Sequence, residues 1–168
     1  MRFLVIVIVW FIAGCASTTT NSPSGSLSET AKAYFDVYAE RKDLKKLMSF
    51  YDEKATLSDI IYGNQLNNKA EIKAFLAWDK GDFQLISGDN ILTVTGQTIS
   101  GRTVVTEGYF NAFSYDGQKL GPWLFVIVQE FNADNKIISQ KDWINYTPRK
   151  HFLGGKNMNH LLLKNKVK

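Results

Sequence analysis

Asp142 and Gln140 stand two residues apart in Lys136 to Tyr146, a run read as a strand. Just upstream, Trp123 to Phe131 is nearly continuously apolar, and Asp134-Asn135 between the runs suits a two-residue turn. With that turn, positions whose numbers sum to 269 face each other, so Ile127 opposes Asp142 and Gln129 opposes Gln140. Alternation then puts Ile138, Gln140, Asp142, Ile144 and Tyr146 on one face with Trp123, Phe125, Ile127 and Phe131; Lys141 and Trp143 fall on the other. An acid on an apolar face turned inward loses water, and its pKa rises towards the range of a useful general acid or base. The same Asp142 could instead accept hydrogen bonds from Tyr or Trp, or pair with Lys or Arg. A second acid, Asp59, lies in the short strand Ala55 to Ile60 ahead of Gly63, where Asp is also a turn former. Glu107 and Glu130 lie on neighbouring strands, and a solvated or ion-paired role suits both.

The elements that must position these acids are legible from caps and periodicity. Ser26-Leu27-Ser28-Glu29 has capping-box spacing, and Ala31, Tyr34, Phe35 and Tyr38 follow the i, i+3, i+4, i+7 rule of one helix face. Asp43 can cap a second helix with Leu44, Leu47, Met48 and Tyr51 on its apolar side. Asn68-Lys69-Ala70-Glu71 opens a third, predicted to turn Ile72, Phe75, Leu76 and Trp78 inward. After Gly81 come strands: Phe83 to Ile99, broken near Ser87-Gly88-Asp89-Asn90, then Thr103 to Tyr115, ending at the hairpin signal Asp116-Gly117. Three helices followed by an antiparallel meander predict an α+β domain, with helices covering one sheet face.

From about Ser28 to Pro148 the chain resembles the SnoaL-like branch of the NTF2-like superfamily, a curled sheet forming a cone closed by helices. The carriers are Asp43-Leu44-Lys45-Lys46-Leu47, the run Tyr51 to Asp59, Asn68-Lys69-Ala70-Glu71-Ile72 and the closing hairpin through Asn135 to Tyr146. The superfamily hosts isomerases, cyclases, hydrolases, dehydratases and non-catalytic binders, so the resemblance implies a fold more than an activity. Ala55-Thr56-Leu57-Ser58-Asp59 resembles the segment that carries the base of ketosteroid isomerases, which implies Asp59 as a catalytic candidate. That chemistry also uses a Tyr and a protonated Asp as oxyanion donors. The corresponding positions here are Phe35 and Ile127, neither of which can donate. Losing one such donor typically costs about 2.7–4 kcal/mol of transition-state stabilisation, which argues against that isomerisation. Tyr34 or Tyr38 could substitute only with the helix rotated. The acidic group of SnoaL-like cyclases implies Asp142 as the other catalytic candidate. In a cone the pocket lining is part of the core, so Tyr34, Tyr38, Trp78, Trp123, Phe125, Ile127, Gln129 and Gln140 are the candidate ligand pocket. The resemblance also implies a homodimer.

The only cysteine, Cys15, closes Ile12-Ala13-Gly14-Cys15 behind Arg2 and the apolar run Phe3 to Ile12. That run is about half of the ~20 residues a membrane-spanning helix needs, and its flanks mark an export signal. Its end resembles the bacterial lipoprotein signal, which implies cleavage after residue 14 and acylation of Cys15, palmitate included. Ala16, where an Asp would favour inner-membrane retention, implies an outer-membrane lipoprotein facing the periplasm in a Gram-negative host. An ordinary cleaved signal with an incidental cysteine is the other reading. Residues 15–26 have the composition of a flexible tether, 27–148 form the domain and 149–168 a basic tail. No cysteine is left for a disulfide.

The formal net charge of +4 is a tail property: the last twenty residues carry six basic residues and no acidic one. Without that tail and Arg2, 13 basic residues stand against 16 acidic ones, about −3, so the domain gives no sign of binding nucleic acid. The tail could touch anionic headgroups or remain a solvated terminus. His151 and His160, nine apart with no nearby carboxylate, have no metal spacing, and no P-loop, dinucleotide fingerprint or serine elbow appears. No cofactor is expected. The expectation is a membrane-anchored lipoprotein whose pocket takes a small, mainly apolar molecule. The alternatives are an enzyme using Asp142 or Asp59 as acid/base, and an envelope protein-interaction module. Cys15→Ser should shift the protein from the membrane to the soluble fraction with unchanged far-UV circular dichroism; a variant that still sediments with membranes overturns the anchor.

Overall fold

Three side-chain caps start three helices at the places the sequence marks. In the computed structural model, which describes residues 26–146, α1 spans Leu27–Glu40. Ser26 Oγ accepts from the Glu29 N–H at 3.2 Å, and the Glu29 carboxylate accepts from the Ser26 N–H at 2.6 Å, a closed capping box. Ala31, Tyr34, Phe35 and Val37 are buried along its inner face, and Tyr38 is half-buried. Helix α2, Leu44–Met48, starts at Asp43, and α3, Lys69–Leu76, at Asn68. The Glu71 carboxylate reaches back to the Asn67 N–H at 2.8 Å, one residue before the cap. Phe75, expected inward, is 40% exposed, because this eight-residue helix buries only the narrow face of Ile72. The signal segment 1–14, Cys15, nearly all of the tether, His151, His160 and the basic tail lie outside the described residues.

Nine strands follow the same logic, with three changes from the sequence expectation. They are β1 Tyr51–Asp59, β2 Asn64–Leu66, β3 Phe83–Leu85, β4 Leu92–Ser100, β5 Thr103–Phe110, β6 Phe113–Tyr115, β7 Gln118–Leu120, β8 Trp123–Phe131 and β9 Ile137–Ile144. The main sheet runs β2-β1-β9-β8-β5-β4, antiparallel except for the parallel β1–β9 pair, and a small sheet runs β3-β6-β7. First, β1 begins at Tyr51, which belongs to the sheet and not to α2. Second, the expected strand Thr103 to Tyr115 breaks at Asn111. Its N–H turns to Ile91 O at 2.7 Å and its side-chain amide to Asn90 O at 2.8 Å, so β6 leaves for the small sheet. The Asp116-Gly117 hairpin therefore joins β6 to β7, with φ of 49° and 78° at its two residues, while β5 pairs directly with β8.

Third, the β8–β9 register follows the 269 rule from Phe125↔Ile144 to Glu130↔Ser139, with Ile127↔Asp142 and Gln129↔Gln140 among the pairs. It shifts at Phe131↔Ile137. That bulge adds a residue to β9 and resets its alternation, so Ile137 is buried and Ile138, expected inside, faces out. Trp143 is also on the outer side, as alternation requires.

The inner face of the main sheet packs against the helices. Phe125 stacks under Phe35 of α1, centroids 6.3 Å apart and rings nearly parallel. Gly108 makes room for that ring. A Cβ there would lie 2.3 Å from the Thr93 carbonyl oxygen and 2.6 Å from the Phe125 ring. Gly108→Ala should lower stability by about 1–3 kcal/mol, read as a reduced urea midpoint. An unchanged midpoint would show that β4 and Phe125 yield freely.

Candidate functional site

A string of polar groups crosses the interior between α1, β1, β8 and β9. Gln140 Oε1 accepts from the Tyr51 hydroxyl at 2.7 Å, from Gln129 Nε2 at 2.9 Å and from the Tyr34 hydroxyl at 3.2 Å. The two tyrosine oxygens are 2.7 Å apart, and the other end of the amide, Gln140 Nε2, donates to Asp142 Oδ1 at 2.9 Å. All these residues are buried. Burial pushes both phenols well above their ordinary pKa. Burial also pushes the Asp142 carboxyl up to about 7; the Gln140 hydrogen bond works against the rise and the charge of Asp59 adds to it.

Asp59 is beside Asp142 because β1 and β9 run parallel with these two residues paired in register. Its carboxylate is occupied from the loop side. Oδ1 accepts from the N–H groups of Ile61 and Tyr62 at 3.1 and 3.3 Å, and Oδ2 accepts from the Tyr146 hydroxyl at 3.3 Å. Asp59 thus closes the turn after its strand and binds the end of β9 to it.

The cavity lies at one end of this interior, with a volume of about 190 Å³. Tyr38 of α1, Trp78 after α3, Trp123 of β8, Tyr146 after β9 and Phe83 of β3 form aromatic walls, and Arg41 adds a guanidinium. The rings brace one another: Tyr38 and Trp78 are 5.4 Å apart, and Trp123 meets Tyr146 edge-on at 4.9 Å. Burial is the main reason the Tyr38 and Tyr146 pKa values rise above the ordinary phenol range. The negative charges of Asp142 and Asp59 raise both further, so these walls present protonated hydroxyls.

The candidates from the sequence therefore separate into two groups. Tyr38, Trp78 and Trp123 line the cavity. Tyr34, Gln129 and Gln140 belong to the polar string, Phe125 lies under Phe35, and Ile127 is fully buried opposite Asp142; none of these five lines the cavity. Asp142 and Asp59 are not in its lining either. Phe35 and Ile127 carry no donor, and the nearby Tyr34 hydroxyl is engaged with Tyr51 and Gln140. Glu107 and Glu130 are exposed. Among the described residues no group of His, Cys, Asp and Glu side chains is placed to hold a metal ion.

Sequence reasoning missed Arg41 and the wall made by the small sheet. The signal for Arg41 was present: it follows Tyr38 by three residues, one turn further along the same helix stripe. Phe83 offered less, because only the break at Asn111 brings β6 across to pair with β3.

No protein-family model matches the sequence, and no curated protein gives a significant match. Solved structures do. An NTF2-like protein of unknown function from Burkholderia pseudomallei superposes with a TM-score of 0.60 at 13% identity, covering 79% of this chain and all of that one. The fold is NTF2-like. A proposed SnoaL-like polyketide cyclase from Shewanella putrefaciens matches this NTF2-like chain with a TM-score of 0.56 at 15% identity, over 83% of this chain and 93% of that one. A hypothetical protein of ketosteroid isomerase-like fold from Catenulispora acidiphila, crystallised with trimethylamine, matches with 0.56 at 15% identity, over 68% and 84%. At these identities the likeness is one of fold alone.

The raised Asp142 pKa has a signed consequence for stability. The folded NTF2-like domain holds a proton on this carboxyl between about pH 4 and 7 that the unfolded chain releases, so stability is greatest below that window and falls as pH rises through it. The loss above the window is on the order of 4 kcal/mol. Asp142→Asn keeps an acceptor for the Gln140 N–H without the charge. Its urea-unfolding profile should be flatter between pH 4 and 7 and should exceed wild type at pH 8. Identical profiles in both proteins would refute a proton held at Asp142.

Proposed function

We propose that this domain binds a small, mainly apolar molecule in the aromatic cavity and is held by an acylated Cys15 at the periplasmic face of the outer membrane. One observation carries the reading. Rings from α1, β3, β8 and the segments after α3 and β9 converge on a space they do not fill. A concave space lined mainly by aromatic side chains with a few polar groups is the usual form of a small-molecule site. A lipid anchor and a short polar tether would keep the opening near the membrane surface, where apolar molecules collect.

A second reading, acid/base catalysis at Asp142, is favoured by a carboxyl held near pH 7. Against it, the carboxyl is not among the groups lining the cavity and commits Oδ1 to Gln140. A general acid must come within hydrogen-bond reach of the atom it serves, which supports the binding reading first.

The full chain titrated calorimetrically with a panel of small aromatic and alicyclic molecules should yield binders. Trp123→Ala and Trp78→Ala should each weaken those binders about tenfold or more. The absence of any binder at millimolar concentration would sink the reading. If the same panel is turned over by wild type and turnover is lost in Asp142→Asn, the catalytic reading replaces it.

A further inference from the structure

We propose that the cavity is built for a monoanion: a small carboxylate with an aromatic or aliphatic body, its charged end held by Arg41 and its body by the rings. The inference rests on the cavity being a binding site and names the ligand class for it.

Arg41 is a half-buried cation without a counter-charge. Among the described residues the ion pairs are Lys32–Asp36 and Lys69–Glu53, and Arg41 is in neither. Its guanidinium stacks over Phe83, 4.2 Å from the ring centroid, with Trp78 at 5.8 Å. Its one side-chain hydrogen bond is a long one, 3.5 Å from Nη1 to Trp78 O, although the group has five N–H donors. A charge partly removed from water is offset best by a group of opposite charge.

The backbone adds an independent sign. Arg41 ends α1 in the left-handed region, φ 51° and ψ 35°, where glycine or asparagine is the usual choice. A cation at a helix C-terminus can be explained by the helix dipole. Here, however, the helix-end hydrogen bonds to Val37 O and Tyr38 O come from the Arg41 backbone N–H, and the side chain leaves the axis for the cavity wall. The residue is placed for its side chain.

Charge elsewhere limits the ligand to one anionic group. The Asp59 carboxylate sits against the Tyr146 wall, its Oδ2 accepting from the Tyr146 hydroxyl at 3.3 Å, so a second anionic group at that end would be repelled. One guanidinium fork matches one carboxylate in a bidentate pair. The volume, about 190 Å³, is below the roughly 300 Å³ at which pockets for drug-sized ligands begin, so the body is of single-ring size.

Phenylacetate and phenylacetamide share one body and differ in charge, and isothermal titration of both into the full chain tests the assignment. Wild type should bind phenylacetate roughly 10- to 100-fold tighter than the amide. Arg41→Gln should erase that preference, with an unchanged far-UV circular dichroism spectrum and urea midpoint reporting that the fold is intact. Arg41→Lys, with the charge but not the fork, should keep a reduced preference. If wild type binds the two probes equally, or Arg41→Gln keeps the preference, the anion assignment is overturned and the cavity reading stands. If neither probe binds wild type and no other molecule of the panel does, both fall. Should Arg41→Gln fail to fold, the wild-type ratio and the lysine variant still decide.

Discussion

One oxygen atom, Oε1 of Gln140, ties four elements of this fold together. It accepts from Tyr51 on β1, Gln129 on β8 and Tyr34 on α1, while its own backbone belongs to β9. A carbonyl oxygen offers two lone pairs. The two shorter bonds, from Tyr51 and Gln129, use them, and Tyr34 finds its better partner in the Tyr51 hydroxyl at 2.7 Å. Because these groups are out of water, each bond left unmade would cost about 1–3 kcal/mol. A slip of β9 by one residue against β8 would turn Gln140 to solvent and leave Gln129 and the two buried phenols without their shared acceptor. The string therefore specifies the register as well as stabilising it. It also has a defect: Gln129 Oε1 is buried without a partner in the described structure. The network is satisfied on its donor side and incomplete on its acceptor side.

The parallel pairing of β1 with β9 is the second constraint, and it follows from chain order. The first strand enters after α1 and α2 and docks at the free side of the last strand, which sets Asp59 level with Asp142. Two acids on neighbouring strands in a dry interior oppose each other's ionisation. The fold resolves this by giving them different surroundings. Asp59 receives two backbone N–H groups and a phenol, all suited to a carboxylate. Asp142 receives a single amide donor, and its pKa rises to about 7.

These differences explain how far the sequence could be read. Local rules sufficed for the caps at Ser26, Asp43 and Asn68, for the helix stripe Ala31-Tyr34-Phe35, and for the Ile127–Asp142 and Gln129–Gln140 pairs, because each depends on neighbours a few residues away or on one turn. The bulge at Ile138 was not legible, since both isoleucines satisfy an apolar pattern and only packing chooses which faces in. Nor was the split at Asn111, whose cause is the distant carbonyl of Ile91. The candidate site suffered most from that split. An inward-facing list taken from the α1 stripe and the strand pairing identified the core, including Tyr34, Phe125, Ile127, Gln129 and Gln140. The cavity depends on which rings stop short of one another, and that is decided by the small sheet and the left-handed end of α1.

Charge separation then accounts for why the cavity persists. An arginine and two acids within one small domain would ordinarily collapse into an ion pair, and such a pair would fill the space between them. Here Arg41 forms no ion pair among the described residues. Burial raises the Tyr38 phenol most, the charges of Asp142 and Asp59 add to the rise and that of Arg41 opposes it. The Tyr38 ring is braced by Trp78 and by Phe110, centroids 5.4 and 6.0 Å away, and cannot swing aside without losing both contacts. Arg41 is held on Phe83 and Trp78 instead of reaching inward. The result is a cavity with a positive wall, an apolar middle and the two acids outside its lining. That polarity is imposed by side chains from α1, β1, β3 and β9, and it would be lost if any one of these rings were small.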